Sequence, residues 1–335
     1  MLPPVRRFQT CSKNRIYQLP MEVFPSFVAY AYLVLTDGVA VLLDAGSGFG
    51  ESPGQLLAGF TEVRERFGEA VAPTDLTRII ITHGHIDHFG GLTMLRHHTS
   101  APIGIHELDR RVLQNYEERL VIASKNLRIF FERAGVRLER RDELMTMYTM
   151  TKHLFHSVDV GFTIHDGDRL DDLFHFTHTP GHCPGQVCIQ VEDVLFTGDH
   201  ILARTTPHQA PESITRYTGL GHYLDALERI ARIPGVDLAL GGHEEPIEDL
   251  AARIATIRDS HQRKLERTLE ICRTPMTISE VSRHLFPKVS GYNVLLALEE
   301  AGAHVEYLYD RGALALDNLE EIASTENPAL RYRRL

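Results

Sequence analysis

The chain has 335 residues, 43% of them hydrophobic, and a formal net charge of −10 at pH 7. This length suits one large domain with a smaller one and allows a sizeable buried core. The acidic balance argues against a strongly basic nucleic-acid-binding surface, and no apolar run is long enough to span a bilayer. Four cysteines without a CxxC pair predict reduced thiols, and the N-terminal segment lacks the apolar stretch of a signal peptide. A cytoplasmic location is therefore expected.

The first hundred residues are predicted to contain both strands and helices. Strands are indicated by apolar runs, two of which flank the hairpin signal Thr36-Asp37-Gly38. Apolar residues at helical spacing indicate a helix before the histidine-rich segment that follows. In chain order, the predicted elements are strands at 27–35 and 39–43, a helix at 55–67, a strand at 76–81 and a helix at 89–97.

The segment of about 107–156 is predicted to be a helical insertion, because it has helical patterns and no convincing strand. Further on, the capping-box pattern Thr277-Ile278-Ser279-Glu280 predicts the start of a helix. The other predicted elements are strands at 161–164, 173–179, 186–191, 194–197, 236–240 and 313–316, and helices at 221–231 and 292–310. We therefore expect a catalytic domain over 1–255, which includes the insertion, and a small domain with a tail over 256–335.

Five predicted strands end alike, next to glycine and to a side chain that can bind or orient a metal ion. Glycine permits the sharp turns and close backbone approach that such a site needs. Ligand sites in α/β sheets lie beyond the carboxyl ends of strands, so five such endings predict one shared site. The residues at these endings are Asp44, the HGHIDH segment 83–88, His182, Asp199 and His243.

The side chains of the HGHIDH segment can face two separate positions within the predicted metal site. His83 and His85 are two residues apart, so their rings lie on the same side of an extended chain. Asp87 and His88 follow where the chain turns into a helix, and they can face a second position. Imidazole with carboxylate suits zinc, iron or manganese, and the absence of a cysteine cluster disfavours a structural zinc site.

This ordered set, HGHIDH followed by TPGH, TGDH and GGH, resembles the metallo-β-lactamase fold superfamily over about residues 23–255. The resemblance implies an α/β fold, an αββα sandwich of two mixed sheets with the site at one edge. It also implies two divalent metal ions, with zinc favoured and iron or manganese as alternatives. By this resemblance one ion is held by His83, His85 and His182, the second by Asp87, His88 and His243, with Asp199 bridging them and Asp44 supporting the site from behind.

The resemblance also limits which activities are expected. True zinc β-lactamases lack an aspartate at the position of Asp199, whereas glyoxalase-II-like thioesterases, lactonases and nucleases have one. A metal-bridging hydroxide is expected to attack a carbonyl or phosphorus atom. Asp87 is expected to act both as a ligand and as the catalytic residue that orients this hydroxide. Further along, His200, Arg204 and Tyr217 are candidates for substrate binding, with solvent-facing loop residues as the alternative.

The favoured function is a dinuclear metal-dependent hydrolase of a thioester or ester of a small acyl substrate. The alternatives are a phosphodiesterase or endoribonuclease acting on single-stranded RNA, and a non-catalytic ligand sensor or scaffold. The C-terminal segment resembles the winged-helix tail of β-lactamase-like hydrolases, which include an endoribonuclease branch. Residues 256–335 carry 11 Lys+Arg and 12 Asp+Glu, so they offer no basic face for phosphates. We expect this domain to form a homodimer or complete the pocket rather than bind nucleic acid.

Overall fold

The computed structural model describes residues 2–36, 38–150 and 152–335. Packing divides the chain into two compact units. Unit 1 comprises residues 1–116, 156–207 and 226–253, and unit 2 comprises residues 117–155, 208–225 and 254–335. Each unit is built from segments that are distant in the sequence.

The larger sheet of unit 1 has seven strands that lie side by side in chain order. The first four strands pair antiparallel, and the fourth to seventh pair parallel, so the sheet is mixed. Its strands are β1 (Arg6–Gln9), β2 (Arg15–Phe24), β3 (Phe27–Thr36), β4 (Val39–Leu43), β5 (Arg78–Ile81), β6 (Ile103–His106) and β7 (Phe162–Ile164).

The second sheet of unit 1 has five strands in the order β12-β11-β10-β9-β8. The pair β11–β12 is parallel and the other pairs are antiparallel, so this sheet is also mixed. Its strands are β8 (Arg169–Leu170), β9 (Phe174–His178), β10 (Val187–Val191), β11 (Val194–Gly198) and β12 (Leu238–Gly241).

The core of unit 1 lies between the two sheets. Val34 and Val41 from the first sheet belong to the same buried cluster as Phe174 and Ile189 from the second. Tyr32 meets Phe196 edge to face, with ring centroids 5.1 Å apart. Strands with apolar residues on a shared inner face produce this two-layer packing. The predicted α/β fold with two mixed sheets is confirmed.

The helices of both units are α1 (Ser52–Phe67), α2 (Ile86–Phe89), α3 (Leu92–Leu95), α4 (Arg110–Gln114), α5 (Tyr116–Arg133), α6 (Leu138–Thr149), α7 (Leu220–Ile230), α8 (Leu250–Ile271), α9 (Ile278–Leu285), α10 (Asn293–Asp310) and α11 (Leu319–Ser324). A small antiparallel sheet in unit 2 pairs β13 (Leu314–Leu316) with β14 (Tyr332–Arg334). Across the part of the chain that is described, no helix combines the length and apolarity needed to cross a membrane.

Several local expectations differ from the structure. The helix predicted at 89–97 is instead two short helices, because the backbone N–H of Gly91 between them donates to the Gly46 carbonyl at 3.0 Å rather than to the preceding helical turn. Strands β1, β2, β6, β8 and β14 were not predicted. Most of β2 is buried without the alternation that marks a half-buried strand. The hairpin between β3 and β4 forms, although Asp37 of its turn signal lies outside the described residues.

Unit 2 combines the predicted insertion with the C-terminal helices. Asn126 on α5 donates a hydrogen bond to the Ile214 carbonyl at 3.0 Å, and the backbone N–H of Ser279 donates to the Ala134 carbonyl at 2.8 Å. Residues 107–156 are predicted to belong with the catalytic domain, and in the structure 117–155 pack within unit 2. The capping box at Thr277 is present at the start of α9. The winged-helix assignment of the C-terminal segment stays a prediction.

A buried polar network in unit 2 joins α8 to α10. Glu300 on α10 accepts hydrogen bonds from the Lys264 ammonium at 2.7 Å and from the backbone N–H of Gln209 at 2.8 Å. His208 Nε2 lies 3.0 Å from a carboxylate oxygen of Glu299. Burial lowers the pKa of His208, but Glu299 and then Glu300 outweigh burial, so this pKa is raised above its ordinary value.

Replacing this histidine is expected to weaken the fold in a pH-dependent way. A raised folded pKa stabilises the protein fully below the unfolded pKa, about 6.5, and the contribution is lost as the pH rises through the folded pKa. His208→Gln should therefore lower the free energy of unfolding by up to about 1 kcal/mol at about pH 6 and by less at about pH 9. Urea denaturation measures this difference, with the exposed His284→Gln as the control. A difference that stays constant with pH would contradict the expectation.

Candidate metal centre

The ends of four strands place the metal-capable side chains of unit 1. His83 follows β5 after one residue, His85 caps α2, and Asp87 and His88 lie within α2. The other three follow strands of the second sheet. His182 lies in the loop after β9, Asp199 directly follows β11, and His243 comes two residues after β12.

Three imidazoles form the first set of candidate ligands. His85 Nδ1 lies 3.1 Å from His83 Nε2 and 3.0 Å from His182 Nε2. A metal ion bound to nitrogen at about 2.0–2.1 Å in tetrahedral geometry holds its ligand atoms about 3.4 Å apart. The three nitrogen atoms are close to that spacing.

Asp87, His88 and His243 form the second set. Asp87 Oδ2 lies 3.4 Å from His243 Nε2 and 3.9 Å from His88 Nε2. Asp199 lies close to both sets. In the second set, its Oδ1 is 3.5 Å from His88 Nε2 and its Oδ2 is 3.3 Å from His243 Nε2. In the first set, its Oδ2 is 3.8 Å from His182 Nε2. The structure therefore brings all seven predicted ligands together, with Asp199 between the two sets.

Hydrogen bonds orient the histidines of the centre. Asp44 is buried, and its Oδ2 lies 2.8 Å from His88 Nδ1 and accepts a hydrogen bond from the Thr82 hydroxyl at 2.9 Å. The same hydroxyl lies 3.0 Å from His83 Nδ1. His243 Nδ1 donates to the Val28 carbonyl at 2.7 Å. With Nδ1 engaged in this way, Nε2 of His83, His88 and His243 is directed into the centre.

The charges differ between the two sets. Burial lowers the pKa of His83 well below its ordinary value and that of His85 to about 3, so both rings are neutral. Burial also lowers the pKa of His88 and His243, but nearby carboxylates, Asp199 first, outweigh burial and raise the pKa of His243 to about 10 and that of His88 well above normal. Burial raises the pKa of Asp199, but His243 and His88 outweigh it and hold that pKa well below its usual range. Asp199 and Asp87 thus favour a positive charge at the second set.

The donor atoms fit a metal ion. Among the described residues, the buried Nε2 atoms of His88 and His243 and Oδ1 of Asp199 have no hydrogen-bond partner. Buried polar atoms without partners are costly, and a cation would satisfy them. Gly242 lines the same space, since a Cβ there would lie 2.5 Å from both Asp199 Oδ1 and His88 Cε1. The histidine and carboxylate clusters can therefore hold divalent ions.

The three predicted substrate-binding residues lie in different surroundings. His200 is fully buried, and burial lowers its pKa to about 3. Arg204 is exposed and pairs with Glu245 at 3.1 Å. Tyr217 belongs to unit 2, where its backbone N–H donates to Glu212 at 3.2 Å. Their role in substrate binding stays a prediction.

Two residues that contact the centre, Thr82 and Asp109, were not predicted from the sequence. Thr82 links Asp44 to His83 through its hydroxyl, and its position directly before the first histidine was the available signal. Asp109 accepts a hydrogen bond from the backbone N–H of Gly84, between His83 and His85, at 2.8 Å. Nothing in the sequence around Asp109 indicated this contact.

Comparisons with known families and curated proteins agree with this geometry. A family model described as the metallo-beta-lactamase superfamily matches residues 25–266. The probable metallo-hydrolase YqjP of Bacillus subtilis (strain 168) is 24% identical over 289 residues, which cover 83% of this chain and 86% of that protein. The probable metallo-hydrolase YflN of the same organism is 29% identical over 171 residues, which cover 48% of this chain but only 55% of that protein.

Solved structures show the same architecture. A metallo-beta-lactamase family protein from Thermus thermophilus, TTHA1429, superposes with a TM-score of 0.77 at 27% identity, covering 96% of this chain and 98% of that one. A beta-lactamase domain protein from Burkholderia ambifaria has a TM-score of 0.74 at 21% identity, covering 98% of this chain and 93% of that one, a likeness of fold alone. The family predicted from the motifs is confirmed.

Asp44→Asn is expected to weaken metal binding at the second set. Asn tolerates the left-handed backbone at this position, where φ is +63°, but it cannot offer two acceptor oxygens to Thr82 and His88. Loss of such an orienting partner typically reduces metal affinity by about 10–100-fold. Zinc titration against a competing chelator measures the change. Asp142→Asn, which removes an exposed carboxylate 3.4 Å from Arg128 in unit 2, is the matched control. Equal affinities for both variants would contradict this role of Asp44.

Proposed function

The chain belongs to the metallo-beta-lactamase superfamily, and on this premise we propose that it is a dinuclear metal-dependent hydrolase that cleaves a thioester or ester of a small acyl substrate. One observation carries the proposal: seven metal-capable side chains converge in two sets that share Asp199. Metal-dependent hydrolysis is supported by the similarity to two probable metallo-hydrolases. The dinuclear site, the acyl substrate and the preference for zinc are parts of the proposal.

Two divalent ions at this site would lower the pKa of a water molecule toward about 7 and polarise a carbonyl oxygen. The chain supplies the groups that hold the ions and manage the protons. Burial raises the pKa of Asp87, but His88 and His243 outweigh it, so this pKa is lowered and the carboxylate stays ionised. An ionised Asp87 can accept a hydrogen bond from the attacking water and orient it. This is the catalytic role that we assign to Asp87.

The choice of substrate class rests on charge and on Asp199. An aspartate at this position is the pattern of glyoxalase-II-like thioesterases, lactonases and nucleases and not of true zinc β-lactamases, so hydrolysis of β-lactams is not proposed. The net charge of −10, with 11 basic and 12 acidic residues in 256–335, disfavours a polyanion such as RNA. A small acyl substrate does not depend on a basic surface. Thioester or ester cleavage is therefore favoured over cleavage of RNA.

A direct assay tests this choice. The metal-loaded protein is incubated with an acyl thioester, the corresponding oxygen ester and a short single-stranded RNA, each with and without a chelator. We expect chelator-sensitive hydrolysis of the thioester or ester. Cleavage of RNA alone would replace the acyl proposal by the phosphodiesterase alternative. Two bound ions without any turnover would instead favour a ligand sensor.

Asp199→Asn is expected to lower metal content and turnover while leaving the fold largely intact. The amide removes the charge that Asp199 shares between the two sets, and loss of a metal-site carboxylate should cost at least about 10-fold in metal affinity. Elemental analysis, turnover and thermal unfolding are measured together. Asp171→Asn, which breaks a carboxylate pair with Arg78, is the control. Unchanged metal content and turnover in Asp199→Asn would count against the dinuclear site.

A further inference from the structure

The turn between β6 and α4 contains a buried aspartate outside the seven candidate ligands. Asp109 is fully buried and stands at the N-cap of α4. An N-cap aspartate ordinarily accepts a hydrogen bond from a backbone N–H in the first turn of its own helix. The Asp109 side chain makes no such capping bond. Its Oδ2 instead accepts the backbone N–H of Gly84, 25 residues earlier in the chain.

Gly84 separates the first two histidines of the first set. A Cβ at Gly84 would lie 3.2 Å from the Asp109 carboxyl group, so the backbone and the carboxyl approach closely. On the other side of His83, the backbone N–H of Thr82 donates to Asp44 Oδ1 at 2.8 Å. Two buried carboxyl groups therefore hold the backbone on both sides of His83. Of these, Asp109 is the one that lies on the side of His85.

The same carboxyl group meets the loop that carries His182. A Cβ at Gly185, three residues after His182, would lie 2.7–2.8 Å from the backbone N, Cβ and Cγ of Asp109. Asp109 thus lies against both loops that supply the three imidazoles of the first set.

His106, three residues before Asp109, supports the second of these loops. Its ring stacks on His178, with centroids 4.0 Å apart and an interplanar angle of 11°. His178 Nε2 donates to the Pro184 carbonyl at 2.7 Å, in the loop that carries His182. Burial lowers the pKa of His106 to about 4 and also lowers that of His178, so the stack is uncharged near pH 7. The last residue of β6 and the turn after it thus hold the loop at two points.

We propose that Asp109 is a positioning residue for the first metal set. It holds the loop of His83 and His85 and the loop of His182 at the separation at which their nitrogen atoms converge. It acts through the backbone of Gly84 and against Gly185, so its effect is on ligand geometry. The inference rests on the proposed function, because it concerns one of the two ions on which that function depends.

Metal titration tests this role without any substrate. Zinc affinity is measured in a His243→Ala background, which isolates the first set, and in a His182→Ala background, which isolates the second. Asp109→Ala should lower the affinity of the first set by about 10–100-fold and leave that of the second nearly unchanged. Cobalt(II) absorption should report altered coordination in the first set alone. Asp109→Asn keeps an oxygen acceptor for the Gly84 N–H and should recover most of the affinity.

A second variant changes the contact between Asp109 and the loop that carries His182. Gly185→Ala places a methyl group against Asp109 and should also weaken the first set, which keeps the test available if Asp109→Ala does not fold. Thr277→Ala is the control for a general loss of stability. It removes the capping hydroxyl that accepts the Glu280 N–H in unit 2, and it should lower the melting temperature without changing zinc affinity.

The outcomes separate this inference from the proposed function. A wild-type protein that binds two ions and hydrolyses acyl substrates, together with an Asp109→Ala variant of unchanged affinity, would overturn the positioning role alone. Equal losses of affinity at both sets in a folded Asp109→Ala variant would also overturn it. A wild-type protein that binds no metal would remove the proposed function and this inference with it.

Discussion

Buried nitrogen and carboxylate atoms that lie 3.0–3.9 Å apart need positive charge between them. At the second set this is seen in the pKa of His243, which burial lowers but Asp199 and Asp87 raise to about 10. The first set differs, because burial keeps His83 and His85 neutral and their lone pairs are already available. The two sets therefore present unequal sites, although they share Asp199.

Parallel strand pairs bring these atoms together. The pair β4–β5 lies in the first sheet and the pair β11–β12 in the second. Parallel strands end at the same edge of a sheet, so Asp44 leaves the first sheet beside the histidine segment, and Asp199 leaves the second beside His243. Tyr32 joins the two edges, since its hydroxyl donates to the Gly241 carbonyl at 2.6 Å, two residues before His243. The buried layer between the sheets thus also sets the spacing of the ligands.

The convergence of the candidate ligands could be predicted because their signals are local. Each follows an apolar run and lies beside glycine, and both features can be read within about ten residues. The strands β1 and β2 lacked such a signal, because most of β2 is continuously buried rather than alternating. The grouping of residues 117–155 with the C-terminal helices also has no local signal, since it depends on contacts such as that between Asn126 and Ile214. Patterns within a segment predict its ending and its buried face, but not which distant segment covers that face.

The residues around the candidate ligands show even more clearly that local sequence does not predict contacts between distant segments. His200 directly follows a predicted ligand, which made it a candidate for substrate binding, yet its ring is fully buried. Asp109 is far from every ligand in sequence, yet it contacts Gly84 because β6 runs parallel to β5 and ends at the same edge. Successive residues of an extended chain point in opposite directions, so the neighbour of a ligand is often directed away from the site. Residues that shape such a centre are therefore better sought at the ends of adjacent parallel strands than beside the ligands along the chain.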